Sequence, residues 1–351
     1  MTTISDVAKR AGVSPVTVSR VINEVSNVKP ATREKVRQAI DELHYLPNVA
    51  ARSLRSKRTK TLALLVPDIT NSFWTTIARG VEDEAQKGGY SVLLCNTDED
   101  PKKQQLYQNV IISQRVDGVI ITPYDSDARN LSRLRDLKIP VVVLDRRIDG
   151  WDVDSVSGDS ISGAQSLVEH LIGLGHRRIA IISGPVSTST AEDRVSGYRM
   201  SLAEFGLQED PRYIKFGEFR EFSGEDLAYQ LLDENPRPTA IFAANNAIAI
   251  GVIKAVNKRG LRIPQDIALV CFDDLPNLSM VFPFLTVVAQ PAYEIGAHAA
   301  QLLLSRLEAG DVLPPRHIML PTRLIVRYSC GSKMSDISLP LPQLMKDLPG
   351  S

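Results

Sequence analysis

Cysteine is scarce in this chain: Cys95, Cys271 and Cys330 are the only three in 351 residues, and no CxxC pair occurs. That excludes a disulfide framework and leaves reduced, buried thiols as the expectation. Long hydrophobic runs are absent too, since nothing approaches the roughly 18–20 consecutive apolar residues of a membrane span. The opening MTTISDVAKR carries early charges and no apolar signal core, so the expectation is a cytoplasmic protein that neither enters a membrane nor is exported. Aromatic residues reach only 6%, yet Phe73 and Trp74 stand side by side in DITNSFW, where an apolar run has just ended. Both rings capping a core would be the bland explanation. A pair of rings flanking a small ligand would be the sharper one.

Motifs of catalysis are missing as well. TLALLVP is followed by neither GxGxxG nor GxxxxGK[ST], so no glycine loop cradles a phosphate there. The five histidines offer no HExxH spacing, and Ser183 in ISGP is not the serine of a GxSxG elbow. Asp273 and Asp274 are adjacent, and neighbours on a strand point to opposite faces, which disfavours a shared acid/base site. No enzyme, metal or cofactor is expected.

Composition is otherwise that of an ordinary globular protein of two or three domains, 43% hydrophobic and 23% charged. The net charge of zero hides a division. Residues 1–60 hold 12 Lys/Arg against 5 Asp/Glu, and the remainder holds 29 against 36. A basic head on an acidic body points to a polyanion partner for the head.

That head is patterned rather than tail-like. In TISDVAKRAGV, Ile4, Val7, Ala8 and Ala11 make a helical stripe. Thr3 and Asp6 stand in capping-box relation, and Gly12 suits the stop. A second helix opens with Ser14 as its cap and Pro15 at its first position, and buries Val18, Val21 and Ile22. A third, ATREKVRQAIDELHY, turns Val36, Ala39, Ile40 and Leu43 inward. Two short helices joined by a tight glycine turn form a helix-turn-helix, whose second helix enters the DNA major groove. Its outward residues are Pro15, Val16, Thr17 and Arg20. Arg20 suits a bidentate guanine contact and Val16 a thymine methyl, while the Ser14 and Thr17 hydroxyls suit phosphates. A plain helical bundle with exposed polar residues is the alternative.

Beyond residue 60, apolar runs (TLALLVP, SVLLC, GVIIT, PVVVL, RIAII, TAIFAA, IALVCF, LTVVA) alternate with amphipathic helical stretches such as FWTTIARGVEDEAQKGG. That order predicts two doubly wound α/β subdomains, with a ligand in the crevice beyond the strands' carboxyl ends. Polar and aromatic residues recur at those ends: Asn71, Phe73 and Trp74; Asp145-Arg146; Asn245-Asn246; Phe272-Asp273; Gln290. Taken singly, each is explained as a loop-capping group. Their recurrence points to a polyol, held by paired hydrogen bonds with rings against its apolar face.

With TISDVAKRAGVSPVTVSRVIN and HYLPNVAARSLR in view, the chain resembles the LacI family of bacterial transcription repressors from residue 2 to about 330. The resemblance implies a helix-turn-helix head (1–46), a hinge helix and linker (47–60), a core of two subdomains of the type I periplasmic-binding-protein fold (61–330, with the chain crossing near 161, 290 and 322) and a disordered tail (331–351). It places Asn48, Ala51 and Leu54 on a hinge that enters the minor groove, Leu54 as the wedge. In the body, the pattern of ribose-binding members matches Asn71, Phe73, Trp74, Asp145, Arg146, Arg194 in RVSGY, Phe219, Asn245, Phe272, Asp273 and Gln290. It departs at Asn246, where the pattern has aspartate, and at Trp74, where phenylalanine is usual.

The resemblance thus implies a homodimeric, nucleoid-associated bacterial repressor on a pseudo-palindromic operator, with D-ribose as inducer. Two alternatives remain: a global regulator with a phosphorylated carrier protein as co-repressor, or a sugar receptor without regulation. The proline-interrupted tail lacks the leucine heptads of a tetramerising bundle, so a dimer is expected.

Overall fold

Caps and stripes build the head as three short helices. The computed structural model describes residues 2–22, 27–45, 58–275, 284–309 and 313–332, and the chain divides into two units at residues 59 and 60. In the first unit, α1 spans Ile4–Ala11, α2 Pro15–Ile22 and α3 Pro30–Glu42. The Asp6 amide donates to Thr3 Oγ1 at 3.3 Å and the Thr3 amide donates back to the Asp6 carboxylate at 2.9 Å. Gly12, at φ +67°, ends the helix in the left-handed region that glycine tolerates. Ser14 caps α2, its hydroxyl accepting from the Thr17 amide at 3.2 Å. Val7, Ala8, Val18, Val21, Val36 and Ala39 form the buried centre, with Ile4, Ala11, Ile22, Ile40 and Leu43 packed around it. Asn48, Ala51 and Leu54 lie outside the described residues, as does the tail beyond Ser332.

The second unit is α/β throughout. Its elements are β1 (Thr61–Val66), α4 (Ser72–Lys87), β2 (Ser91–Asn96), α5 (Pro101–Ser113), β3 (Gly118–Ile121), α6 (Ser132–Asp136), β4 (Val141–Leu144), β5 (Asp154–Gly158), α7 (Ser160–Gly173), β6 (Ile179–Ser183), α8 (Ser189–Glu204), β7 (Ile214–Phe216), α9 (Glu221–Leu232), β8 (Ala240–Ala243), α10 (Asn246–Lys258), β9 (Ala268–Phe272), β10 (Thr286–Ala289), α11 (Ala292–Ala309), β11 (His317–Leu320) and β12 (Arg323–Ile325). One sheet runs β11-β5-β4-β3-β1-β2 and the other β12-β10-β9-β8-β6-β7. All pairings are parallel except that of β12, which runs antiparallel to β10. The chain changes sheet three times, after Gly158, after Ala289 and after Leu320.

Each sheet is buried on both faces, which is why its central strands read as unbroken apolar runs. Alternate residues of β1 show this: Leu62, Leu64 and Val66 join one cluster with α4 and α11, and Ala63 and Leu65 join another on the opposite face. The second sheet is sandwiched in the same way. The α4–α11 contact is backbone-close. A Cβ on Gly80 would stand 2.1 Å from the Tyr293 carbonyl oxygen, and one on Gly296 2.1 Å from that of Ile77. No helix of the described residues is long and apolar enough to cross a membrane.

Candidate functional site

Parallel strands deliver their carboxyl ends to one edge of each sheet, and the two edges face each other across a cleft. Between them lies a cavity of about 290 Å³, walled by loops that follow β1, β2, β4, β7, β8 and β9 and by the start of α8. Nine of the eleven expected ligand residues line it: Asn71, Phe73, Trp74, Asp145, Arg146, Arg194, Phe219, Asn245 and Asp273.

The rings answer both readings of DITNSFW. Phe73 and Trp74 are 8% and 7% exposed and belong to the core beneath α4, yet both also form cavity wall. They meet edge to face, 4.8 Å between centroids, an arrangement favoured by the ring quadrupoles. Asn71 aims them by capping α4, its Oδ1 accepting from the Phe73 amide at 3.0 Å.

Charge is concentrated and buried here. Arg146 is 3% exposed; Nη1 and Nη2 donate to the Glu99 carboxylate at 2.9 and 2.5 Å, and Nη1 also to the Pro123 carbonyl at 2.8 Å. Arg194 stands over Phe272, Cζ 3.9 Å from the ring centroid, and Nη1 donates to the Ala244 carbonyl at 2.6 Å. Asp145 and Asp273 follow β4 and β9 at equivalent turns, φ +63° and +72°. Their amides donate to Val156 and Val288 carbonyls, each at 2.9 Å. Such strained left-handed positions gather at binding sites. Burial pushes the Asp273 carboxyl up to about 6, against the pull of Arg194 and the Gln290 amide. Burial also raises Asp145, against Arg194 and Arg146.

Several fully buried polar atoms find no partner among the described residues: Asp145 Oδ1, Arg146 Nε and Arg194 Nε, which belong to residues of this wall, and Gln290 Oε1. Unpaired buried groups cost stability unless a ligand or water meets them. A cavity offering carboxylate acceptors, guanidinium donors and ring faces suits a small polyhydroxylated molecule.

Two of the expected ligand residues do not line this cavity. Phe272, expected against the sugar ring, is fully buried and is not cavity wall; it supports Arg194 from below. It is the last residue of β9 and points into the core between α7 and α8. Gln290 is also set back, donating from Nε2 to Asp273 Oδ1 at 2.7 Å. Conversely, Asp68, Thr70, Asp98, Glu99, Thr190 and Arg220 line the cavity and were missed. Asp98 and Glu99 follow SVLLC in NTDED, where the same strand-end rule applied to β2 would have found them.

In the head, Ser14, Pro15, Val16 and Arg20 are exposed and Thr17 is half-buried on one side of α2. Val16 is 56% exposed, an apolar side chain left in water on the face of α2 opposite the buried Val18 and Val21.

Comparison with known proteins agrees with this geometry. Residues 3–48 match the family of bacterial regulatory proteins, lacI family, and residues 59–326 match periplasmic binding proteins and sugar binding domain of LacI family. Similar relatives include the HTH-type transcriptional regulator DegA of Bacillus subtilis (38% identity; 93% of this chain, 98% of the relative). The ribose operon repressor of Halalkalibacterium halodurans is 39% identical over 93% and 96% of the two chains. Catabolite control protein A of Priestia megaterium is 38% identical over 93% and 98%. Among solved structures, the lac repressor dimer bound to operator and an anti-inducer aligns over 94% of this chain and 99% of its own, with TM-score 0.82 and 31% identity. A LacI family regulator from Enterococcus faecium with bound ribose aligns over 77% and 98%, with TM-score 0.68 and 29% identity.

Proposed function

Because the chain belongs to the LacI family of bacterial regulatory proteins, we propose that it is a homodimeric operator-binding repressor whose effector is a small sugar, D-ribose, acting as inducer. The chain is a transcription regulator and not an enzyme. Two heads set α2 into successive major grooves, where Arg20 and Val16 meet base edges and Ser14 and Thr17 meet phosphates. Asn48, Ala51 and Leu54 enter the minor groove between them.

The observation that carries the sugar assignment is the lining of the cavity, which gathers the carboxylates of Asp145 and Asp273, the guanidinium groups of Arg146 and Arg194 and the rings of Phe73, Trp74 and Phe219 around about 290 Å³. Adjacent hydroxyls of a sugar donate to a carboxylate and accept from a guanidinium at once, which is the pairing this lining offers. Phe73, Trp74 and Phe219 cover its apolar faces; Asn71, Asn245 and Asp273 complete the rim. The small cavity favours a monosaccharide, and the match to the ribose-binding pattern, nine of whose eleven residues line the cavity, favours ribose. Similarity to catabolite control protein A is equally high, but a carrier-protein co-repressor gives no reason for a walled cavity lined by carboxylates, guanidinium groups and rings.

Calorimetric titration of the full chain with D-ribose, other pentoses and hexoses, and purines tests the assignment. Saturable ribose binding that is lost in Arg194→Ala is expected. Binding of a purine and no sugar would overturn it.

A further inference from the structure

The cleft is bridged by the chain's own side chains. Asn71, on the loop before α4, donates from Nδ2 to Asn246 Oδ1 at 2.8 Å, and Asn246 Nδ2 donates back to Asn71 Oδ1 at 3.0 Å. This reciprocal amide pair joins the two subdomains across 175 residues of sequence. Only Asn71 lines the cavity; Asn246, 2% exposed, stands outside it on the first turn of α10.

Asn246 is itself braced. Its Nδ2 also reaches the Asp274 carbonyl at 3.3 Å. The Asp274 carboxylate is gripped by Arg327, Nη1 and Nη2 each at 2.7 Å, and the Arg327 side chain is 2% exposed. A buried bidentate pair of this kind fixes geometry firmly. Other bridges cross the cleft as well: the Arg147 amide donates to Ser189 Oγ at 2.8 Å, and the Arg220 guanidinium donates to the Asp98 carbonyl.

We infer that Asn246 is a positioning residue for effector binding: it clamps Asn71 across the cleft, holding the two subdomains partly closed before any effector arrives. The inference deepens the sugar-site reading above and rests on it only for the affinity arm of the test. Its chemistry requires an amide at both positions. Oδ1 of Asn71 already accepts the Phe73 amide, so the clamp needs a donor from position 246, and it needs an acceptor there for Asn71 Nδ2. Aspartate, which the ribose-binding pattern has at this position, accepts but does not donate when ionised. In Asn246→Asp the bonds to Asn71 Oδ1 and the Asp274 carbonyl are lost, and acceptors face acceptors. The fold survives that change, because a carboxylate on the first turn of a helix is favoured by the helix dipole.

The test uses the full-length dimer with spin labels at Lys102 and Asp226, exposed residues of α5 and α9 on opposite sides of the cleft; the native cysteines are buried. Distance distributions are recorded without ligand and with D-ribose, for the parent chain, Asn246→Asp and Asn246→Ala. Expected is a short-distance population in the unliganded parent that both variants shift to longer distances and that saturating ribose restores. Ribose affinity should fall about tenfold in Asn246→Ala, as two modest hydrogen bonds predict. Equal unliganded distributions in all three chains would overturn the clamp, whatever ribose does. If no sugar binds the parent, the sugar reading fails, and the unliganded distances alone decide the clamp.

Discussion

At the scale of single residues, the two arginines of the cavity have different work. Arg146 is committed to Glu99 and to backbone carbonyls, so Arg146→Ala strands a carboxylate and should cost the body about 3–5 kcal/mol. Thermal unfolding of the second unit reads that loss directly. Arg194 lies over Phe272 and lines the cavity, with Nε unpartnered. Arg194→Lys keeps the charge but loses the planar stack and the fork; ribose affinity should fall at least about tenfold while the midpoint changes little. Asp273 adds a pH dependence. Its folded value, about 6, lies above the ordinary 3.8, so the empty body loses stability as pH rises through that interval and is level beyond it. Sugar hydroxyls favour the ionised form, so effector affinity should rise about tenfold from pH 5 to pH 7. Calorimetry across that range giving a flat profile would remove Asp273 from the hydroxyl-binding set. Most of these residues were legible because strand ends punctuate the sequence. What the text hid was facing: Phe272 and Asp273 are neighbours, yet one supports the site from the core and the other forms its wall.

Among the elements, the eight apolar runs correspond to β1–β4, β6 and β8–β10. The strands without such a signal are β5, β7, β11 and β12. Three of these lie at sheet edges, where one-sided burial leaves no continuous apolar run. The fourth, β5, reads DSVSG and has a single large apolar residue, Val156. Its Asp154 is fully buried because Arg306 holds it at 2.7 Å and the Arg316 amide at 2.8 Å, partners more than 150 residues away that sequence pattern does not connect. In the head, the capping box was readable from Thr3 and Asp6 alone. Thr3→Ala should cost about 1 kcal/mol, seen as faster amide exchange in α1 with exchange in the body unchanged.

For the whole molecule, the uneven charge was the first indication of two tasks in one chain. The basic head implies operator affinity that falls steeply with salt, whereas effector affinity should hardly respond, since its charges are buried. The order of strands and helices carried the two-subdomain architecture, and the three changes of sheet follow where strands β5, β10 and β11 end. The dimer surface was not legible, because helix faces that pack on a partner have the same apolar pattern as those that pack on a sheet. Coupling between cavity and operator is the central claim, and linkage makes it reciprocal: a sugar that weakens operator binding must be bound more weakly by the operator complex, by the same factor. The most direct test is the affinity of the dimer for a selected operator duplex, measured by fluorescence anisotropy with and without saturating D-ribose. The account predicts that ribose weakens operator binding by at least about fivefold, and an operator affinity that ribose leaves unchanged or strengthens would contradict it.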